Sequence, residues 1–423
     1  MGSRGSGHDL VPVLCNTVTG CKRRLTSHTV AHDTMMDRSL LLYKQVPYSP
    51  APWLSAAVKG DVPANRVLLG NLPTPLHRVQ CRDIAQLSKY ELYFKRDDLS
   101  SFDLSGNKVR KLEFLLCEAL EKGHDSVITI GGLQSNHCRA TAVAARQLGL
   151  KPHLILRTND DSGAVNKDLT GNLLFNRLVD SHIYTVSSSN YAILGHSNLC
   201  HQLALQLQNQ GKNPYVIPVG GSNRIGAFGY LSMTEELEMQ TRQLSVMEGD
   251  VGKHPYFDHI VFACGSGGTL TGIALGNKLS GMCSKVHAIC VCDSISYFRA
   301  HMQETAELLG VDMAALGPVD QWAELYSGAG AGYAKSTDEE LNFLARFAGE
   351  TGLLLDPVYG GKALYHFATK VLAEHCDAFL PGQRILFVHT GGTIGLYDKV
   401  DQLISGPMET STCVEKLKLV KKV

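Results

Sequence analysis

The chain has 423 residues, of which 44% are hydrophobic and 19% charged, a balance typical of a globular protein and unlike that of a disordered or fibrous one. Its 40 basic and 40 acidic side chains cancel, and no long basic run is present to follow a phosphate backbone, which argues against nucleic acid as a partner. No apolar stretch reaches the roughly 18 to 20 residues that a membrane-spanning helix needs, so we expect no integral membrane segment.

Residues 1–60 have no regular hydrophobic period and are predicted to form a disordered or targeting extension. Basic side chains such as Arg23 and Arg24 are typical of an import signal, but Asp9 and Asp33 dilute that pattern, and no secretory apolar core is present. The sequence therefore leaves two compartments open, the cytoplasm and the mitochondrion.

From about residue 70 the chain repeats one pattern, in which a short apolar run ends in glycine or serine and a helical segment follows. Runs that are apolar on both faces are typical of parallel strands covered by helices on both sides. Such runs predict strands within 127–132, 153–157, 182–189, 215–223, 259–268, 286–294 and 385–392. The most regular helix is predicted over 107–123, with Gly123 as its stop. The alternation predicts an α/β fold with doubly wound parallel sheets.

Four of these strands end in glycine pairs, at 131–132, 220–221, 267–268 and 391–392. In open parallel sheets, ligands bind outside the carboxyl ends of the strands, where glycine allows close approach of the backbone. Any single pair is explained equally well by a tight strand-to-helix turn. Four pairs together indicate a shared ligand cleft.

The segment CGSGGTLTG (264–272) follows a predicted strand and opens a helix, so its free N–H groups can bind a phosphate. It is not a Walker loop, because no Gly-Lys-Ser/Thr sequence follows. It also departs from the dinucleotide-binding fingerprint, because Leu270 stands where the third glycine is needed. The segment favours a cup for a single phosphate.

Lys108 is predicted at the start of a helix, where the positive end of the helix dipole opposes an ammonium group. Its position alone favours a solvated surface charge over an amine tuned for covalent chemistry. Ser105 and Lys108 also match the Ser-x-x-Lys motif of acyl-serine hydrolases, but the two accompanying motifs of that class are absent.

Five segments carry a family resemblance: KRDDLSSFDLSGNKVRKLEF, GGLQSNHCRATA, ACGSGGTLTGI, LDPVYGGKA and FVHTGGTIGLYDKVDQ. Together, in this order and over residues 69–403, they resemble the family of pyridoxal-phosphate enzymes that contains D-cysteine desulfhydrase and 1-aminocyclopropane-1-carboxylate deaminase. The match is closest to the eukaryotic, plant-type desulfhydrases. Each segment alone is modestly specific, whereas five in order are highly specific.

The resemblance implies fold type II, the fold of the tryptophan synthase β subunit, with pyridoxal 5′-phosphate as cofactor. A smaller α/β lobe, residues 111–222, would be inserted into a larger cofactor-binding lobe formed by residues 61–110 and 223–423. The family pattern also implies a homodimer with a small-molecule substrate.

The resemblance further assigns roles to individual residues. Lys108 would carry the cofactor as an internal Schiff base, and Asn136 would contact the cofactor's ring oxygen and the substrate. Gln134 and Ser135 would receive the substrate carboxylate, Ser135 also serving in catalysis. The cofactor phosphate would be held by Gly265, Ser266, Gly267, Gly268 and Thr269. The active-site tyrosines would be Tyr333 and Tyr359, and the partner of the pyridine nitrogen would be Thr390.

The activity implied is β-elimination of D-cysteine to hydrogen sulfide, ammonia and pyruvate. In the deaminase pattern an acid follows the tyrosine of the DPVY segment, whereas here Gly360 follows Tyr359, which favours the desulfhydrase. Deamination of the cyclopropane acid and racemisation of a D-amino acid remain as alternatives on the same fold. A non-catalytic cofactor-binding protein is an alternative of another class, disfavoured by the intact Lys108 and tyrosines.

No metal is predicted. His137, Cys138 and His389 lie beside the candidate site, but they lack a second ligand at metal-binding spacing and are better explained by packing or hydrogen bonding. The Asp97–Asp98 pair is more typical of ion pairing than of a general acid and base.

Overall fold

The computed structural model describes residues 38–158 and 169–407, and none of the helices in those ranges combines the length and apolar character needed to cross a bilayer. The strands are β1 Gln45–Pro47, β2 Asn65–Val67, β3 Leu76–Val79, β4 Glu91–Arg96, β5 Ser126–Gly132, β6 Lys151–Thr158, β7 His182–Ser187, β8 Pro214–Val216, β9 His259–Cys264, β10 Lys285–Cys290, β11 Glu324–Ser327 and β12 Arg384–His389. The α-helices are α1 Pro52–Ala57, α2 Lys108–Glu121, α3 Asn136–Gln147, α4 Gly171–Leu178, α5 Ser188–Leu194, α6 His196–Asn209, α7 Arg224–Met247, α8 Gly268–Ser280, α9 Ile295–Leu309, α10 Met313–Leu316, α11 Asp338–Thr351, α12 Gly360–His366, α13 Leu372–Glu374 and α14 Val400–Ile404.

Two sheets build the body of the protein. The larger sheet has the order β11-β10-β9-β12-β4-β3 and is parallel except for the pairing of β3 with β4. The smaller sheet has the order β7-β6-β5-β8 and is entirely parallel. All seven strands predicted from apolar runs are present, and the doubly wound α/β prediction is confirmed.

The strands of the smaller sheet all lie within the predicted inserted lobe, and those of the larger sheet lie on either side of it. The predicted boundary at residue 111 falls inside helix α2. Because α2 packs on α7 and β2 as well as on α3, it belongs to the contact region between the sheets. The limits of the two lobes stay a prediction.

The N-terminal extension is shorter than predicted. Residues 1–37 lie outside the described residues, but the prediction for residues 1–60 is wrong from Gln45 onward. Strand β1 pairs antiparallel with β2, the side chain of Leu54 is 1% exposed, and the Gly60 N–H donates to the Leu309 carbonyl at 3.0 Å. A three-residue strand and a six-residue helix are too short to show a hydrophobic period.

Helix α2 is fixed by a buried ion cluster at its start. The guanidinium of Arg110 pairs with Asp97 at 2.8 Å and with Glu236 of α7 at 2.9 Å, and Lys95 also pairs with Glu236. Although burial raises the pKa of Glu236, Arg110 and Lys95 lower it to about 2, so this carboxylate is ionised at neutral pH. The predicted ion-pairing role of Asp97 is confirmed.

Replacing Arg110 with methionine is expected to destabilise the fold by about 3 to 5 kcal/mol, because Asp97 and Glu236 then remain buried without their partner. The midpoint of urea unfolding measures the effect. Lys122→Met, directly after the end of the same helix, is the control, since its side chain is 58% exposed and its loss is expected to cost less than about 1 kcal/mol. Equal shifts in the two variants would contradict the assignment.

Candidate active site

Segments that carry the family resemblance and lie far apart in the sequence meet in one cavity at the carboxyl ends of the strands. Lys108 at the start of α2 faces the loop after β9 and the loop after β12. Predicted site residues that line the cavity are Lys108, Asn136, Gly265, Ser266, Gly267, Thr269, Tyr359 and Thr390. A cavity of about 300 Å³ between α7 and the end of α8 contains none of the predicted residues, so cavity size does not identify the site.

Residues 265–269, together with Ser222, form what we call the phosphate cup. Gly267 adopts φ +84°, a conformation that glycine tolerates best, and helix α8 begins at the next residue. The Gly268 N–H donates to Ser222 Oγ at 3.1 Å, and the Ser222 hydroxyl donates to Ser266 Oγ at 2.8 Å. A helix N-terminus with hydroxyls around it favours an anion.

Lys111 is a buried cation beside the cup that the sequence analysis did not single out. Its side chain is 1% exposed, and its Nζ donates to the Gly220 carbonyl at 3.1 Å and to Ser222 Oγ at 3.0 Å. Burial, and then the charge of Lys108, hold its pKa well below the usual range. No carboxylate among the described residues offsets this charge, and a Cβ at Gly268 would lie 2.8 Å from Nζ.

This donor set fits a phosphate group. Lysine amine, serine hydroxyls and backbone N–H groups converge where glycine leaves room, and a phosphate dianion would supply the missing negative charge. The sequence does contain a signal for Lys111. It lies three residues after Lys108, and residues three apart share a face of a helix.

The amine of Lys108 is suited to covalent chemistry. Desolvation by burial lowers its pKa to about 8, although the neighbouring thiols of Cys292, Cys264 and Cys138 act in the opposite direction. A neutral amine is the nucleophilic form, and it is appreciably populated near pH 8. The position of Lys108 in the sequence favours a solvated surface charge. That interpretation is wrong, because Lys108 lines the cavity.

The loop before α3 contains Gln134 and Ser135, the residues predicted to receive the substrate carboxylate. Ser135 caps the helix by accepting the Cys138 N–H at 3.2 Å, and Asn136 Oδ1 accepts from Asn172 Nδ2 at 3.0 Å. The Gln134 amide donates to the Thr170 carbonyl at 3.2 Å and accepts the Asn172 N–H at 2.9 Å. The role of Gln134 in binding substrate stays a prediction, and Asn172 is a support that the sequence did not reveal.

Tyr333 and Tyr359 form a hydroxyl pair, with their oxygens 2.8 Å apart. Burial raises the pKa of both phenols, for Tyr359 well above its usual value, and the Tyr359 hydroxyl partly counteracts the effect on Tyr333. The guanidinium of Arg157 lies 5.8 Å from the centre of the Tyr333 ring. At neutral pH both tyrosines are protonated and can donate a proton.

Asp356 holds the backbone of Tyr359 in place. Its carboxylate accepts the N–H groups of Val358, Tyr359 and Gly360 at 3.0, 2.7 and 2.6 Å. Burial raises the pKa of Asp356 to about 6, although these three bonds favour the charged form. Thr390 also lines the cavity, while its predicted contact with a pyridine nitrogen stays a prediction.

The three side chains examined as metal ligands make hydrogen bonds. His137 Nε2 lies 2.9 Å from Thr129 Oγ1, His389 Nε2 lies 2.9 Å from the Leu354 carbonyl, and Cys138 is fully buried. In residues 38–158 and 169–407 no group of three or more His, Cys, Asp or Glu side chains is arranged to hold a metal ion.

Comparison with known proteins identifies a family and relatives that agree with the predicted one. Residues 67–391 match the family described as pyridoxal-phosphate dependent enzyme. The chain is 42% identical over 389 residues to the bifunctional D-cysteine desulfhydrase/1-aminocyclopropane-1-carboxylate deaminase, mitochondrial, of Arabidopsis thaliana, covering 92% of each chain. It is 33% identical to D-cysteine desulfhydrase of Serratia proteamaculans, covering 77% of this chain and 92% of that one.

A solved structure described as an ACC deaminase homologue superposes with a TM-score of 0.66 at 32% identity, covering 84% of this chain and 97% of that chain. This likeness and the family match confirm the predicted type II fold and the predicted cofactor, pyridoxal 5′-phosphate.

Lys108→Ala is expected to keep the fold. Turnover should fall about a hundredfold to ten-thousandfold, because the amine predicted to hold the cofactor and to move protons is lost. Steady-state kinetics and circular dichroism measure the two effects. Borohydride reduction of the loaded wild-type enzyme followed by peptide mapping should label Lys108. Labelling of Lys111 or any other lysine would show that the assignment is wrong.

Lys111→Met is expected to have opposite effects on affinity and stability. Cofactor affinity should fall about tenfold to a hundredfold, because a charge-assisted hydrogen bond to the phosphate is lost. The cofactor-free protein should be as stable or more stable, because an amine that is costly to charge in this buried position is removed. Equilibrium dialysis and urea unfolding measure these effects, with Lys122→Met as the control. Unchanged affinity would disprove the role.

Proposed function

Because this chain belongs to the pyridoxal-phosphate dependent enzyme family, we propose that it is a D-cysteine desulfhydrase, which converts D-cysteine and water to hydrogen sulfide, ammonia and pyruvate. The observation that carries the proposal is the meeting of the Lys108 amine and the Tyr333–Tyr359 pair at one cavity beside the phosphate cup. Pyridoxal phosphate supplies an electron sink for the substrate's Cα when it is bound.

The phosphate cup and Lys111 hold and orient the cofactor from the side of α8. Lys108 holds it from α2, and Asn136 and Thr390 line the same cavity. The start of α3 receives the substrate carboxylate, because its free N–H groups and the Ser135 hydroxyl favour an anion. The substrate is thereby fixed with its Cα near the Lys108 amine.

Lys108 Nζ takes the proton from Cα. An amine with a pKa of about 8 accepts a proton readily and also gives it up again near neutral pH, which suits a group that acts in both directions. The charge of Lys108 in turn lowers the pKa of Lys111, so a second positive charge, on Lys111, is disfavoured until the phosphate is in place.

The tyrosine pair supplies a proton to the leaving sulfur. Since burial keeps both phenols protonated, one hydroxyl donates to the thiolate as the bond between Cβ and sulfur breaks, and the second replaces that proton across 2.8 Å. Sulfide then leaves as a neutral or singly charged species. D-cysteine carries this leaving group on Cβ, which is why it suits the site.

Deamination of the cyclopropane acid is the second candidate, because the name of the Arabidopsis relative includes it. Two features of this site favour elimination. Gly360 provides no carboxylate to hold a pyridinium proton, and Thr390 offers a neutral hydroxyl in its place. A Cβ at Gly360 would lie 3.1 Å from Asp356 Oδ1, so an acid here would approach a carboxylate that is already buried.

The oligomeric state of the protein and its cellular compartment stay predictions. The family pattern supports a homodimer. The word mitochondrial in the name of the Arabidopsis relative supports the second of the two compartments left open, cytoplasm and mitochondrion.

D-cysteine is expected to release sulfide and pyruvate in equal amounts, with kcat/KM at least about tenfold to a hundredfold above that for the cyclopropane acid, because the weaker pyridinium partner limits ring opening. Coupled assays of pyruvate, sulfide and 2-oxobutanoate measure the ratio. A preference for the cyclopropane acid would overturn the assignment. L-cysteine formed without pyruvate would indicate a racemase, and bound cofactor without turnover would indicate a non-catalytic protein.

Gly360→Glu tests the discriminating position within this chain. The ratio of the two kcat/KM values is expected to shift toward the cyclopropane acid, because a carboxylate is introduced after Tyr359. Gly360→Ala is the matched control, as it adds the Cβ without the charge. An equal shift in both variants would show that volume, and not charge, sets the ratio.

A further inference from the structure

His301 of α9 packs directly against the phosphate cup. A Cβ at Gly267 would lie 2.2 Å from His301 Cδ2 and 3.0 Å from Nε2, so the imidazole occupies the space beside the residue that precedes α8. The ring of Tyr297 lies parallel to the imidazole, at 6.4 Å and an interplanar angle of 11°. Residue 267 is therefore restricted by its positive φ and by the histidine.

The Nε2 atom of His301 is buried and has no hydrogen-bond partner among residues 38–158 and 169–407. Desolvation by burial, and then the charge of Lys111, lower the pKa of His301 to about 4, so the ring is neutral at pH 7. A neutral imidazole has one N–H, and a buried N–H without an acceptor is costly. In the tautomer that carries this hydrogen on Nε2, the atom requires an acceptor at this wall of the cup.

We propose that His301 donates its Nε2–H to the phosphate of pyridoxal phosphate, as a cofactor ligand from α9. The cup supplies donors from the start of α8, and Lys111 supplies a charge from α2. His301 packs against Gly267, the residue that precedes α8, and so places its imidazole beside these donors. The buried Nε2–H of His301 lacks an acceptor among the described residues, and a phosphate group offers several acceptor oxygens, so the two groups are complementary.

The proposal rests on the cofactor and is independent of which substrate the enzyme uses. Three variants separate hydrogen bonding from packing. His301→Leu removes the N–H, His301→Gln keeps an N–H at similar reach, and Tyr297→Leu removes the ring stacked on the imidazole while leaving Nε2 in place.

Cofactor affinity by equilibrium dialysis of the loaded enzyme, and the ³¹P resonance of bound pyridoxal phosphate, are the two readouts. We expect His301→Leu to weaken affinity about tenfold and to shift the resonance, and His301→Gln to restore most of both. Tyr297→Leu should leave the resonance near its wild-type position. Equal losses in the Gln and Leu variants, or in the Tyr297 variant, would assign the effect to packing and overturn the proposal.

A second measurement uses the unmutated enzyme, so that it holds even if His301→Leu fails to fold. In ¹⁵N-labelled loaded enzyme, the His301 resonance, assigned by its absence in His301→Gln, should show a protonated Nε2. An unprotonated Nε2 would overturn the proposal. These cofactor effects without turnover of D-cysteine would contradict the proposed reaction and leave the role of His301 intact.

Discussion

Two amines lie one helical turn apart at the start of α2, Lys111 buried and Lys108 half-buried at the cavity, and much of the active site follows from the cost of desolvating them. Within residues 38–158 and 169–407 no carboxylate acts on Lys111, and Lys108 is surrounded by thiols and glycine loops. Arg110, between them in sequence, points to the other side of the helix and pairs with Asp97 and Glu236. The charge on one side of α2 is therefore paired with carboxylates. The other side requires an anion, which the cofactor supplies as its phosphate.

The sequence predicts those parts of the fold whose pattern is local. Strands β5 and β9 are apolar on both faces, and glycine ends β5 and directly follows β9, so both the strands and the ligand-binding edge are evident from the sequence pattern. Strand β4, ELYFKR, is not evident from its sequence pattern. Its Lys95 is fully buried because it pairs with Glu236 of α7, about 140 residues away in the sequence. Charged residues are rarely buried unless paired, and pairing across the fold leaves no local signal.

The same limit applies inside the site. Motif residues such as Lys108 were identified by resemblance, whereas Lys111 and His301 depend on what surrounds them in space. The contact between Tyr333 and Tyr359 joins two loops 26 residues apart, and neither spacing nor composition gives the 2.8 Å between their hydroxyl oxygens. Burial, which sets whether each phenol is an acid or a base, is a property of the folded chain.

Asp97 links the two halves of the cofactor site. It binds Arg110 of α2 and accepts a hydrogen bond from Tyr230 of α7 at 2.8 Å, while the Tyr230 hydroxyl is hydrogen-bonded with Thr269 of the phosphate cup. Because folding alone brings the cup and the lysine helix together around this buried carboxylate, we expect the cofactor to bind the native chain in preference to the unfolded one. A ligand at a hundred times its dissociation constant adds about 2.7 kcal/mol to native stability. The supply of vitamin B6 in the cell would therefore govern how long this polypeptide survives proteolysis, and so its abundance as well as its activity.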